Sequence, residues 1–157
     1  MKILTNESEQ RFERYQTECR SAGIKLTHQR LEIFRELANS NEHPDAETIY
    51  RAVKTRIPTI SLDTVYRTLW TLWDLGLITT LGAPRERMRF DTNIDTHHHF
   101  VCSECGLIHD FADADFDRLK LPEALKALGD IEQTHVEVRG LCKQCAIKKG
   151  SGFKSKK

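Results

Sequence analysis

SLDTVYRTLWTLWDLGLITTLGAPRERMRFD, residues Ser61 to Asp91, carries the pattern on which the fold turns. Ser61 stands ahead of Val65, Leu69, Leu72 and Trp73, so the stretch opens as an N-cap followed by an apolar helical stripe. Gly76 supplies the stop. GLITTL and MRFD then flank the turn-forming GAPRER, which predicts a β-hairpin. Upstream, residues 7–22 show Phe12, Tyr15 and Cys19 at helical spacing, with the lone Cys19 expected to be a small buried hydrophobe. Thr27 caps a second helix whose apolar face is Leu31, Ile33, Phe34, Leu37 and Ala38, ended by Asn39 to Asn41. A third begins at Pro44 and Asp45, turns Ile49, Ala52 and Val53 inward and closes at Pro58. Helices followed by a two-stranded hairpin is the winged-helix order.

After Asp91 the texture changes. TNIDTHHHFVCSECGLIHDF is strand-rich, LPEALKALG reads as one short helix, and IEQTHVEVRGLC alternates like a strand. The expected class is α+β: a winged-helix domain with hinge over 1–91, a small α/β unit over 92–147, and a basic, disordered tail over 148–157. The 157 residues, 39% of them hydrophobic, suffice for real cores. Twenty-four basic and 23 acidic side chains leave a net charge of +1, so any nucleic-acid binding must come from local placement. Residues 1–91 hold 14 basic and 13 acidic side chains, which predicts modest non-specific DNA affinity. The N-terminus lacks a signal-peptide core and no stretch approaches the roughly 20 apolar residues of a membrane span. A cytoplasmic protein with no membrane partner is expected, and in that reducing compartment paired cysteines read as metal ligands before they read as disulfides.

Cys102-x-x-Cys105 and Cys142-x-x-Cys145 each aim two thiolates at one point, and together they fill the four-sulfur tetrahedral shell of structural zinc. The 36 residues between the pairs exceed the usual ribbon spacing, but they hold enough chain to return beside the first pair. An iron–thiolate centre is the alternative, although nothing else suggests electron transfer. Four sulfurs leave no place for His97, His98 and His99. On a strand, His97 and His99 share a face and His98 points away. With Asp91, Asp110 and His43 they form a nitrogen and oxygen set suited to iron(II), manganese(II) or zinc; a solvated histidine run on an edge strand is the alternative.

AGIKLTHQR, HPDAETIY, ISLDTVYRTLWTLWDLGLI, RFD, HHHFVCSECG and GLCKQC, in that order, resemble the ferric-uptake-regulator (Fur) superfamily of metal-dependent repressors over roughly residues 20–146. The resemblance implies a homodimer with a winged helix, a dimerisation domain and a regulatory metal at the hinge. It makes His43, Asp91, His97, His99 and Asp110 the regulatory ligands. An aspartate at 110 is similar to the peroxide-sensing (PerR) branch, where the iron-uptake branch usually has glutamate, and this implies His43 and His97 as targets of oxidation. Some relatives hold an extra ion beginning with a histidine where Thr96 stands here; His98, Asp117 and His135 would make a partial version of that site.

In the helix after Ser61, the side chains Asp63, Thr64, Tyr66 and Arg67 are placed to enter a major groove, where arginine reads guanine and a tyrosine ring meets a thymine methyl. The resemblance favours Tyr66 and Arg67 as contacts to a double-stranded DNA operator, an AT-rich inverted repeat, with Lys25 near the minor groove and Arg85 or Arg87 on phosphates. It implies no enzyme and no small-molecule substrate beyond metal ions and hydrogen peroxide. Iron-uptake or zinc-uptake regulators of the same superfamily remain alternatives, as do, outside it, a metal-dependent hydrolase and a zinc adaptor protein.

Overall fold

Side-chain caps set three of the first four helices. α1 (Asn6–Ser21), α2 (His28–Ala38), α3 (Ala46–Lys54) and α4 (Leu62–Asp74) follow in order. Thr27 accepts the N–H of Arg30, Asp45 that of Thr48, and Ser61 that of Thr64; each cap contributes about 1 kcal/mol. α4 ends where Gly76 turns left-handed at φ 68°, which lets Leu77 N–H return to the Leu72 carbonyl. The chain then forms β1 (Thr79–Leu81) and β2 (Arg89–Asp91), antiparallel, with Thr79 opposite Asp91. This is a winged helix. The computed structural model describes residues 6–82 and 87–150, so Arg85 and most of the expected basic tail lie outside the described residues.

The chain divides into two compact units, Met1–Ile94 and Asp95–Lys157. The first has a conventional core in which Ile33, Phe34, Leu37, Val53, Val65, Leu69, Leu72 and Phe90 are fully buried. Cys19 is buried as expected, and Tyr15 sets its ring edge-on to Phe34. The buried carboxylate of Glu32 is held by Arg35 and by Arg56 at 2.6 Å, and Arg56 also reaches Glu36; a buried charge paired this way avoids the cost of an isolated one. Trp73, expected in the core stripe, is instead 46% exposed. At 100° per residue Leu72 takes the inward position next to Val65 and Leu69, which rotates Trp73 off the buried face.

β3 (His98–Cys102) is the centre of the second unit, antiparallel to β4 (Ile108–Phe111) and parallel to β5 (Glu137–Gly140). Parallel pairing needs a crossover, and two short helices lie on it, α5 (Ala114–Asp117) and α6 (Glu123–Lys126). Of these two, α6 alone shows a helical pattern in the residues, within LPEALKALG. α5 is too short to show a period and rests on Asp113, whose carboxylate accepts the N–H groups of Asp115 and Phe116. The alternating stretch before Cys142 yields strand only over Glu137–Gly140. α7 (Lys143–Lys148) then starts at Cys142, so the second cysteine pair heads a helix. Among the described residues of this unit, the buried apolar side chains are Cys102, Cys145 and Ala146, beside the buried His97, His98 and His99. No helix among the described residues is long and apolar enough to cross a membrane.

Leu69→Ala should lower the unfolding free energy of the helical unit by about 2–5 kcal/mol through cavity formation, whereas Trp73→Ala should cost less than about 1 kcal/mol. Urea melts followed by circular dichroism separate the two; equal losses would return Trp73 to the core.

Candidate metal centres

The turn after β3 and the head of α7 bring Cys102, Cys105, Cys142 and Cys145 into one cluster, with all four sulfurs within 4.8 Å of one another. Sulfurs arranged tetrahedrally about an ion at about 2.3 Å are about 3.8 Å apart, and Cys105 Sγ lies 3.8 Å from Cys142 Sγ. The donors fit a closed four-thiolate site. Backbone N–H groups tune it: that of Cys105 first, then that of Cys142 at 3.3 Å, hold the Cys102 thiol down to about 6 against its burial. The thiol of Cys145 is pushed up to about 12 by the neighbouring Cys142 thiol, by burial and by the other two sulfurs. Cys102 ionises readily, and Cys145 beside it then resists ionising. A cation removes that conflict and releases protons as it binds.

Strand alternation separates the three histidines as expected. His97 and His99 meet on one face, Nε2 to Nε2 at 2.8 Å, with Asp110 Oδ1 at 3.8 Å and 3.4 Å. Asp110 is there because β4 pairs it directly opposite His99. Two ligands at about 2.1 Å from one ion and at right angles are about 3.0 Å apart, so this spacing is that of ligands sharing an ion. The Nδ1 of His97 lies 2.7 Å from the Asp95 carbonyl. A carbonyl can only accept, so Nδ1 carries the proton, and in the neutral ring Nε2 holds the lone pair that a metal would take.

In the first unit His43 Nε2 lies 3.6 Å from Asp91 Oδ1, both side chains buried. His43 follows α2 and Asp91 ends β2. The main chain on either side is tied down: Phe90 N–H donates to the Pro44 carbonyl at 2.9 Å, and Arg89 Nε to the His43 carbonyl. Arg89 was missed in the sequence reading, although it opens the RFD triplet that contains Asp91.

His98 points to the opposite face, fully buried. It lies between the rings of Phe111 and Phe116, accepts the Val136 N–H at Nδ1, and sets Nε2 3.1 Å from Asp117 Oδ1. His135 is exposed, its ring centroid 6.1 Å from that of His99. Among the described residues, His98, Asp117 and His135 form no group of three at ligand spacing.

Of the expected DNA contacts, Tyr66 is 39% exposed on α4, and Arg67 pairs with Asp63 one turn back at 2.8 Å while its side chain remains 80% exposed. Lys25 is exposed and its carbonyl accepts from Arg30. Arg87 pairs with Asp45 at 3.2 Å and Glu47 at 3.1 Å.

Residues 21–139 match the Ferric uptake regulator family. The chain is 36% identical to the peroxide-responsive repressor PerR of Staphylococcus epidermidis over 128 residues, 80% of this chain and 84% of that one. It is 35% identical to the PerR of Staphylococcus aureus over 151 residues, 94% and 100% of the two chains. Among solved structures, the ferric uptake regulator Fur of Helicobacter pylori, described with three functional metal binding sites, superposes with a TM-score of 0.72 at 26% identity, covering 92% of this chain and 97% of that one. PerR from Streptococcus pyogenes, described in terms of peroxide sensing and gene regulation, gives 0.50 at 31% identity over 85% and 92%.

Cys142→Ser should abolish stoichiometric, chelator-resistant metal and the cooperative melt of the second unit together, read by elemental analysis and calorimetry. Retention of both would remove the four-thiolate site. Uptake should also weaken as pH falls, because protons then compete for the sulfurs.

Proposed function

The chain belongs to the ferric uptake regulator family, and on that premise we propose that it is a dimeric repressor that senses peroxide through an iron(II) or manganese(II) site and binds AT-rich inverted-repeat operators. It is a metal-responsive regulator. The observation that carries the finer reading is the pairing of His97, His99 and Asp110 at ligand spacing without a thiolate among them. In this reading one divalent ion takes these three together with His43 and Asp91, and the four cysteines hold structural zinc. The winged helix (1–91) reads DNA and residues 92–147 dimerise, in the cytoplasm.

An ion that binds only when residues of both units converge favours the arrangement in which two reading helices of a dimer fit one operator. Metal and DNA affinity are then linked reciprocally. Nitrogen and oxygen donors suit iron(II) and manganese(II) and exchange more readily than a closed thiolate shell. Bound iron(II) supplies one-electron reduction of hydrogen peroxide. As ligands of that ion, the imidazoles of His43 and His97 would each take one oxygen of a peroxide at a ring carbon, the other oxygen leaving as water; an oxidised imidazole is a poorer ligand, so the units would uncouple and the operator be released. Tyr66 and Arg67 read bases, with Lys25 near the minor groove and Arg85 or Arg87 on phosphates; Arg67 must leave Asp63 to do so, an exchange that costs little at an exposed pair.

Gel shifts on the fragment upstream of its own gene, with metal-free, iron(II), manganese(II) and zinc(II) protein, test the core of this. Metal-dependent binding is expected, and Arg67→Ala should weaken specific binding by about 1–3 kcal/mol while leaving random DNA nearly unaffected. Binding to no fragment in any metal state would favour an adaptor, and metal-dependent ester or phosphate turnover a hydrolase.

Peroxide should release DNA from the iron(II) form and spare the manganese(II) form, with one added oxygen on the peptides bearing His43 and His97 by mass spectrometry. No release would place the chain with iron-uptake or zinc-uptake regulators; oxygen confined to Cys102, Cys105, Cys142 or Cys145 with release would move the sensor to the thiolates.

A further inference from the structure

Strand β2 is bonded along its length to the short segment that links α2 to α3. Arg87 pairs with Asp45 and Glu47. Arg89 Nε donates to the His43 carbonyl, Phe90 N–H to the Pro44 carbonyl at 2.9 Å, and Asp91 lies 3.6 Å from the His43 ring. Within this set the Arg89 contact is the one in which a charged side chain holds the main chain of a proposed metal ligand. Pro44 has no N–H and restricts His43 to extended geometry, so at this point the segment can be tied to β2 through its carbonyls. The Pro44 carbonyl is met by strand backbone. The His43 carbonyl is met by a guanidinium, and a charge-assisted hydrogen bond is roughly twice as strong as a neutral one. Asp91 sits two residues beyond Arg89 on the same strand. The residue that grips the main chain of His43 therefore shares a rigid element with the carboxylate that His43 must meet.

We propose that Arg89 is a positioning residue for the regulatory metal: its guanidinium fixes the His43 main chain against β2 and so holds His43 and Asp91 at ligand spacing before an ion arrives. The inference rests on the reading of His43 and Asp91 as metal ligands. Without Arg89 the His43 peptide keeps its fixed neighbour Pro44 but loses its own anchor, and an incoming ion must order His43 as it binds. The effect falls on metal affinity and leaves the helical core alone, because Arg89 is not a member of the apolar cluster that carries the stability of this unit.

Arg89→Met keeps the reach of the side chain and removes its donors; Arg89→Lys restores a cation that can donate. Full-length, zinc-loaded protein free of DNA is titrated with manganese(II) by calorimetry. Arg89→Met should bind about tenfold more weakly, the range seen when an outer partner of a ligand is lost, and Arg89→Lys should recover part of that loss. Zinc content and the melting temperature of the manganese-free protein should stay at wild-type values, while amide exchange over residues 43–47 should rise in Arg89→Met. Manganese(II) affinity within twofold of wild type in Arg89→Met overturns the proposal. So does a weakening that comes with an equal fall in the manganese-free melting temperature and no recovery in Arg89→Lys, the signature of a merely structural residue. Wild-type protein that takes up no manganese(II) removes the premise about His43 and Asp91 and this inference with it, whereas normal wild-type uptake with an unaffected variant removes this inference alone.

Discussion

Four sulfur atoms within 4.8 Å of one another cannot all carry charge unless a cation stands among them. The second unit depends on that constraint, because its buried side chains are mostly thiols and imidazoles: two of the cysteines and three histidines, beside a small alanine. Such an interior contributes little hydrophobic free energy, and a structural metal at the four sulfurs, worth on the order of 10 kcal/mol, would take the place of the missing core. The cluster joins the turn after β3 to the head of α7, which follows directly from β5. It thereby fixes β5 beside β3 in the register that sets Cys102 opposite Gly140 and His99 opposite Glu137. His99 also donates its backbone N–H to Val136. The closed thiolate site and the nitrogen and oxygen site are thus two ends of one short strand, and order at the first supports geometry at the second.

The helical unit is built on the opposite principle. Its core is a continuous apolar cluster from Tyr15 to Phe90, three of its helices begin at side-chain caps, and the buried carboxylate of Glu32 is neutralised by Arg35 and Arg56. Ligand geometry enters only at its margin. His43 and Asp91 lie where β2 crosses the segment before α3, and Arg87 reaches the cap of that same helix. The wing strand and the segment before α3 are consequently one mechanical piece.

Chemical sorting between the two sites follows from the strand. Alternation sends His97 and His99 to the face that carries Asp110, and His98 to an apolar box of Phe111 and Phe116 with Asp117 at its edge. Soft thiolates are kept away from the imidazoles by the fold, so a four-sulfur donor set and a nitrogen and oxygen set stand a few residues apart on one strand.

Local signals were legible in the sequence because they are enforced locally. Thr27, Asp45 and Ser61 cap the helices they precede, Gly76 ends α4, and the period of Val65, Leu69 and Leu72 gave the buried stripe. The cysteine spacing and the two-residue period of the histidines announced a thiolate site and a separate imidazole pair. Trp73 failed because hydrophobicity alone does not fix the angle at which a helix meets its core. α5 and the helical setting of Cys145 failed because elements of four to six residues carry no readable period and are stabilised by Asp113 or by the chain return around the cysteines. Which carboxylate stands beside His99, which ring face His98 presents, and that Arg89 holds the His43 carbonyl were decided by tertiary structure. Each depends on the register between strands or on contacts across dozens of residues, and a pairing of that range leaves no mark in the residues on either side of it.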